Sequence, residues 1–177
     1  MRTIRVQWNS GTVDLTWYRG VHYPPIGKVT SVHGVCFLDE KVLLVNIKGR
    51  GFNLPGGHVE AGEKVKEAFN REVWEEGYVK GESSFIGYIE VSHKHNPLFN
   101  PHGKYPLVGY QLFYRMDISK KYDFKREHES SCRIWVEPEE LPFVIQDHKL
   151  VKEIIQAALD EKSIPRPNNL AQIKGHR

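Results

Sequence analysis

The segment from Gly56 to Tyr78 most constrains what this chain can fold into. It begins with two glycines after Pro55 and continues into a run with helical spacing. The glycines permit a sharp turn that brings backbone atoms close to a bound ion or phosphate. The run predicts a helix over residues 64–76, with Gly77 as the left-handed cap that ends it.

One face of this predicted helix begins apolar and ends acidic. Residues three and four apart share a face, and this face comprises Val65, Ala68, Phe69, Glu72, Val73, Glu75 and Glu76. An apolar stripe packs against a sheet, where several carboxylates together are costly to desolvate. A bound cation removes this conflict, and such oxygen ligands suit Mg²⁺ or Mn²⁺ with substrate phosphates. A solvated acidic helix end is the alternative.

The spacing of the segment resembles the signature of the Nudix hydrolases. That pattern is Gly, five residues, Glu, seven residues, Arg-Glu, an aliphatic residue, any residue, Glu-Glu, any residue, Gly and an aliphatic residue. The chain supplies, in this register, Gly57, Glu63, Arg71, Glu72, Val73, Trp74, Glu75 and Glu76. It departs at the end, where Gly77 comes one place early and Tyr78 stands at the glycine position. We interpret this departure as a one-residue shortening of the helix exit.

The resemblance implies a role for each matching residue. Glu72, Glu75 and Glu76 are expected to hold divalent ions, with the Gly56 carbonyl as a backbone ligand. Mg²⁺ is the expected cofactor, and Mn²⁺ is the other candidate. Glu63 and Arg71 are expected to form a bidentate pair that orients the loop and the helix.

The general base and the substrate contacts have candidates outside the metal ligands. The base is either a glutamate of the segment, for which we take Glu75, or a carboxylate of a later loop. In that loop Glu129 is preferred to Glu127, and a solvated loop charge is the alternative for both. Arg50 and Phe52 are candidates to contact phosphate and to stack on a base, with surface charge and core packing as the alternatives.

A loop rich in proline, glycine and asparagine is predicted over residues 92–106, and it carries His93, His95 and His102. Long loops of this kind are often functional. These histidines are candidates to reach substrate phosphates or a base, and the His-x-His spacing also allows a zinc site. A solvated loop is favoured, because no cysteine is near.

The rest of the chain predicts a mixed sheet. Alternation of apolar and polar residues predicts an N-terminal hairpin, and apolar runs predict two buried antiparallel strands. The predicted elements are the hairpin 2–17, strands 31–38, 41–47, 52–54, 84–91, 107–116 and 132–136, a charged loop 117–131, and a helix from Asp147. This order fits the α/β/α sandwich of the Nudix fold. Residues 1–162 are expected to form a single Nudix domain, and residues 163–177 a disordered tail.

The composition limits the partners of this chain of 177 residues. Its formal net charge of +3 suits an anionic small substrate and is too weak to indicate nucleic acid binding. Neither a signal peptide nor a run of about 18 apolar residues is evident, so we expect no membrane contact and a cytoplasmic location. Cys36 and Cys132 are expected to be two buried thiols.

The sequence therefore predicts a Mg²⁺-dependent Nudix hydrolase that cleaves the pyrophosphate bond of a nucleoside diphosphate derivative. A nucleoside triphosphate, including an oxidised one, is the first substrate prediction, and ADP-ribose or another nucleotide sugar is the second. A non-catalytic nucleotide sensor is the alternative of another class, which the intact Arg71 and glutamate set disfavours. A homodimer with the N-terminal hairpin as its contact is compatible with the sequence.

Overall fold

The computed structural model describes residues 1–8, 11–20, 22–145 and 147–162. The strands are β1 (Arg2–Trp8), β2 (Gly11–Arg19), β3 (Val29–Leu38), β4 (Lys41–Ile47), β5 (Gly51–Asn53), β6 (Gly56–His58), β7 (Val79–Ser92), β8 (Val108–Lys121) and β9 (Ser130–Val136). The helices are α1 (Val65–Gly77), α2 (Leu141–Val144) and α3 (Val151–Lys162), and 3-10 turns span Ile26–Lys28 and Pro138–Glu140. The predicted tail, residues 163–177, lies outside the described residues.

The strands form one mixed sheet in the order β1-β2-β7-β8-β3-β4-β5, with β6 paired to β3 and β9 to β4. Strands β3 and β8 run parallel, and the other pairs are antiparallel. The predicted pairing of β3 with β4 is confirmed, and it extends over two residue pairs beside their tight turn. The parallel neighbour β8 supplies most of the backbone partners of β3.

Apolar side chains cover both faces of the sheet. On one face Leu15, Val35 and Leu44 pack with Ile154 of α3. On the other face Cys36 and Leu43 pack with Phe69 and Val73 of α1, which are fully buried. Burying a large apolar side chain stabilises the fold by about 1.5–3 kcal/mol, so the apolar half of α1 fixes this helix on the sheet. The expected α/β/α sandwich is confirmed.

The N-terminal hairpin is part of this sheet. Strand β2 pairs with β7 from Asp14↔Ser92 to Arg19↔Gly87. The hairpin also contacts the histidine-bearing loop, because Asp14 Oδ2 lies 2.9 Å from His95 Nδ1. Arg5 donates two hydrogen bonds to the same carboxylate, and these contacts hold the pKa of Asp14 at about 2.

Three predicted boundaries are wrong. Residues 117–121, predicted as loop, belong to β8, because they pair with the first residues of β7. That strand begins at Val79 rather than at Ser84. The last helix begins at Val151 rather than at Asp147. The Asp147 carboxylate accepts a hydrogen bond from the amide of the adjacent residue, whereas an N-cap bonds an amide two or three residues on.

The interpretation of the helix exit is also wrong. Helix α1 continues through Gly77, and Tyr78 itself adopts the left-handed conformation, with φ 54° and ψ 44°. The Tyr78 amide donates to the Trp74 carbonyl at 2.9 Å, which closes the last turn. The exit therefore has the full length of the pattern, with a tyrosine where the pattern has glycine.

Two further expectations concern the thiols and the membrane. Cys36 is a buried free thiol, and Cys132 is free and half-buried rather than buried. The edge position of β9 explains the exposure of Cys132, because β4 is its one pairing partner among the described strands. Within the described residues, each helix is too short or too polar to cross a membrane.

Candidate active site

Glu76 is the most deeply buried carboxylate of α1, with 5% of the residue exposed. It lies near the end of the apolar stripe, where the helix meets β6. Its Oε2 accepts a hydrogen bond from the Gly56 amide at 2.9 Å. Burial nevertheless raises the pKa of Glu76 to about 7. A carboxylate held in this way is stabilised by any cation that binds beside it.

The two glycines bring the backbone against these carboxylates. Gly56 has φ +154°, and a side chain there would collide with the carbonyl oxygen of Val32 on β3. A Cβ atom at Gly57 would lie 2.5 Å from the carboxylate of Glu72. Only glycine leaves this space open, so the loop and the acidic end of α1 share one small polar space.

Arg71 ties the loop to the helix. Its Nε and Nη2 donate to the two carboxylate oxygens of Glu63 at 2.9 and 3.0 Å. Nη2 also donates to the carbonyl of His58, and Nη1 donates to Glu72 at 2.8 Å and to Glu75 at 3.5 Å. The hydrogen bond from Arg71 lowers the pKa of Glu63, whereas burial raises the pKa of Glu72 against the effect of Arg71. The structure thus brings Glu63 and Arg71 together in the bidentate geometry expected from the sequence.

The residues present fit a divalent ion, although they do not form a closed cage. Among the described residues, no three acidic, histidine or cysteine side chains converge into a ready-made metal site. Arg71 holds Glu72 and Glu75, while the buried Glu76 carboxylate has a neutral amide as its donor. A buried carboxylate whose hydrogen-bond donor is neutral, beside two further carboxylates, is a donor set that suits a hard divalent cation.

A cavity of about 950 Å³ opens over these carboxylates. Its walls include Gly56, Gly57, Arg71 and three of the four glutamates of α1, namely Glu72, Glu75 and Glu76. Residues of β1, β3, β7, β8 and several connecting loops complete the lining. A second cavity of about 340 Å³ adjoins it toward α3 and shares Glu76, His33 and Gln111. Each of the two cavities is within the range of about 300–1,000 Å³ that is typical of small-molecule and cofactor sites.

The structure places most of the other candidates on this cavity. Glu127 and Glu129 line it from the segment before β9, and Arg50 lines it from the turn before β5. Arg50 Nη2 lies 3.6 Å from Glu129 Oε2, with both side chains exposed. Phe52 is not among the residues that line either cavity in the described part of the chain. It packs against the core on the α3 side, because its position on β5 points it to that core, so core packing explains it.

The three loop histidines have different environments. His93 is buried, lines the cavity and contacts the Asn96 side chain at 3.3 Å. His95 pairs with Asp14 on the hairpin, and His102 is exposed. Their separation disfavours the zinc alternative, in line with the lack of such a cluster among the described residues.

Sequence reasoning missed the aromatic walls of the cavity. Trp8, at the end of β1, lines both cavities and is 37% exposed. Tyr105 lines the first cavity, and its hydroxyl lies 3.1 Å from His58 Nε2. Trp8 continues the face of β1 that carries Ile4 and Val6, so the alternation of this strand could have indicated an exposed aromatic side chain at its end. Its proximity to Gly57 depends on the strand order.

The comparison with known proteins assigns the family. The NUDIX domain family model matches residues 28–157, and the chain belongs to the Nudix family, as the spacing of the segment indicated. The match begins after the N-terminal hairpin, whose strand β2 nevertheless pairs with β7 inside it. Nudix hydrolases generally use divalent metal ions.

One curated relative is the ADP-ribose pyrophosphatase of Methanocaldococcus jannaschii, 39% identical over 79 residues. These residues are 42% of this chain and 44% of that protein, so the match spans less than half of the relative.

Solved structures show the fold. A pyrophosphohydrolase from Bacillus subtilis aligns with a TM-score of 0.65 and 22% identity, over 92% of this chain and 98% of that chain. An ADP-ribose pyrophosphatase from Streptococcus suis aligns with a TM-score of 0.54 and 19% identity, over 77% and 92% of the two chains.

Proposed function

We propose that this protein is a Mg²⁺-dependent pyrophosphohydrolase of nucleoside diphosphate derivatives. The observation that carries the proposal is the convergence of Glu72, Glu75 and Glu76 with the Gly56-Gly57 turn on one large cavity. These glutamates and the Gly56 carbonyl would hold the ions, with Mn²⁺ as the other candidate. The bound ions would offset the negative charge that develops on the phosphate oxygens.

The acceptance of the proton and the contact with substrate phosphate are assigned to side chains of the protein. A water oxygen attacks one phosphorus, the bridging P–O bond breaks, and the leaving phosphate takes the bonding electrons. The proton of the water passes to a carboxylate, for which Glu129 is our first candidate because it lines the cavity on an exposed segment. Glu127 and Glu75 line the same cavity and are the alternatives. Arg50, which pairs with Glu129, also lies where it can contact a substrate phosphate.

Of the two predicted substrate classes, we propose the ADP-ribose class first. The partial similarity to an ADP-ribose pyrophosphatase supports this order, which reverses the order predicted from the sequence. Trp8 and Tyr105 provide aromatic surfaces on which a nucleobase can stack. Nucleoside triphosphates remain in the test panel, together with oxidised forms.

The test is a nucleotide panel with purified protein and Mg²⁺, in which products are separated by chromatography. We expect hydrolysis of at least one nucleoside diphosphate derivative. Glu72→Gln should lower kcat by at least about 100-fold, the scale of losing one group that stabilises the transition state. Glu67→Gln is the matched control, because Glu67 is an exposed glutamate of the same helix, and it should retain wild-type turnover.

Two outcomes contradict the proposal. Turnover that survives Glu72→Gln refutes the role of this carboxylate. A wild-type protein that binds nucleotides without hydrolysing any of them is a sensor, the alternative of another class.

A homodimer with the N-terminal hairpin as its contact and a cytoplasmic location are also proposed. Size-exclusion chromatography with light scattering tests the homodimer, and fractionation of the source cells tests the cytoplasmic location.

A further inference from the structure

Tyr78 occupies a backbone conformation that an L-residue with a side chain rarely adopts. Its φ of 54° and ψ of 44° lie in the left-handed region, where glycine has no steric cost and other residues do. The preceding glycine does not relieve this cost, because Gly77 is helical and a Cβ there would lie 2.7 Å from Leu43. A tyrosine at this position therefore needs contacts that offset the unfavourable conformation.

The Tyr78 side chain connects the end of α1 to the segment 123–129, which precedes β9. Its hydroxyl accepts a hydrogen bond from the Glu127 amide at 2.9 Å. Its ring is buried, with the Phe124 ring 5.2 Å and the His128 ring 6.0 Å from its centroid. A glycine could make none of these contacts.

The two ends of the same segment are held by other groups. Before it, the Tyr122 amide donates to the Tyr78 carbonyl at 2.9 Å. After it, the Ser130 hydroxyl donates to the Glu76 carbonyl at 2.7 Å, and Arg133 donates to the Gly77 carbonyl at 2.7 Å. These bonds also satisfy carbonyls at the C-terminus of α1.

The middle of the segment is restrained by weaker contacts. Glu127, His128 and Glu129 are exposed. Arg126 donates from an exposed side chain to the Ser131 carbonyl at the start of β9 rather than to α1. The pair of Arg50 with Glu129 is between exposed side chains. Exposed ion pairs restrain little. The Tyr78 hydroxyl, with the Phe124 and His128 rings against its own ring, therefore connects the Glu127 backbone to the helix that bears Glu72 and Glu76.

We propose that Tyr78 is a positioning residue that sets Glu127 and Glu129 against the carboxylates of α1. The proposal rests on the proposed hydrolase function, in which this segment carries the base. The tyrosine links the metal-bearing helix and the base-bearing segment directly. A glycine, which the family pattern has at this position, has no side chain with which to form this link.

Tyr78→Phe removes the hydroxyl and retains the ring. Loss of one neutral hydrogen bond changes an equilibrium or rate constant by a factor of about 2–13. We therefore expect kcat to fall about fivefold with KM unchanged. Tyr78→Gly relieves the left-handed strain but frees the segment, and kcat should fall further. Tyr18→Phe is the matched control, because Tyr18 stacks on Tyr88 away from the cavity, and its kcat should equal that of the wild type.

Two readouts separate positioning from a general structural role. In metal-free protein, Tyr78→Phe should increase hydrogen exchange at the amides of residues 124–129 without increasing it in the core of α1. In a Glu127→Gln/Glu129→Gln background, Tyr78→Phe should cause no further loss of kcat, because the groups it positions are gone.

Unchanged exchange at these amides, or a full further loss of kcat in the double-variant background, overturns the proposal. These results are distinct from failure of the proposed function. A wild-type protein without hydrolytic activity refutes the hydrolase, and the exchange measurement still decides whether Tyr78 holds the segment.

Discussion

Replacement of Arg71 by alanine should destabilise the protein substantially even without metal. The guanidinium forms hydrogen bonds of 2.8–3.0 Å with Glu63, Glu72 and the His58 carbonyl. Its side chain is 24% exposed, and those of Glu63 and Glu72 are 16% and 13% exposed. Removal of one partner from a buried ion pair costs about 3–5 kcal/mol, because the remaining charge is uncompensated. Partial exposure screens this charge, so we take about 3 kcal/mol.

This loss predicts a measurable fall in melting temperature. For a domain of 150–250 residues, each kcal/mol corresponds to roughly 2–4 °C, so Arg71→Ala should lower Tm by about 6–12 °C. Circular dichroism melts in the presence of a chelator measure this change. Arg71→Lys keeps the charge but loses the forked geometry. Its Tm should lie between those of the wild type and Arg71→Ala. A Tm for Arg71→Ala within about 2 °C of the wild type refutes this account of the network.

Three further predictions test the glycine turn, the cavity wall and the hairpin. Gly57→Ala should displace the Glu72 carboxylate, which would lie 2.5 Å from the new Cβ; Mn²⁺ affinity should fall about 10–100-fold, with little change in Tm because the displaced group is the end of a flexible side chain. Trp8→Ala should raise KM about 5- to 150-fold with kcat unchanged in steady-state kinetics, because base stacking contributes about 1–3 kcal/mol. Asp14→Asn should lower Tm at neutral pH. Because the pKa of Asp14 is lowered from 3.8 to about 2, its ionised form stabilises the fold above about pH 4, and this stabilisation is lost as the pH falls toward 2. The Tm difference between Asp14→Asn and the wild type should therefore narrow over that range.

The glycine turn and the acidic helix face were predictable because they depend on local spacing. Helical periodicity alone places Glu72 and Glu76 on the side of Phe69 and Val73. The structure confirms that this side faces the sheet. The family assignment from this spacing was correct for the same reason.

The exit of the helix was not predictable from local spacing. A glycine is the usual left-handed residue, so Gly77 was taken as the cap. The structure instead keeps Gly77 helical, against Leu43 of β4, and gives the left-handed position to Tyr78. The contacts of Tyr78 with residues 124–128 are more than 40 positions away in the sequence, and helical periodicity contains no information about them.

Strand ends and cavity walls depend on pairing partners. Residues 117–121 are charged and look like a loop, but the start of β7 lies beside them and completes their backbone hydrogen bonds. Trp8 reaches the cavity because β1 and β2 extend the sheet next to β7. Both features follow from strand order, which a single sequence specifies only weakly.

Titration of Mn²⁺ into metal-free protein, followed by electron paramagnetic resonance of the free ion, tests the central claim that the acidic end of α1 is a divalent metal site. The account predicts that the wild type and Glu67→Gln bind Mn²⁺ alike, and that Glu76→Gln weakens binding at least about tenfold. Equal Mn²⁺ binding by Glu76→Gln and the wild type would contradict it.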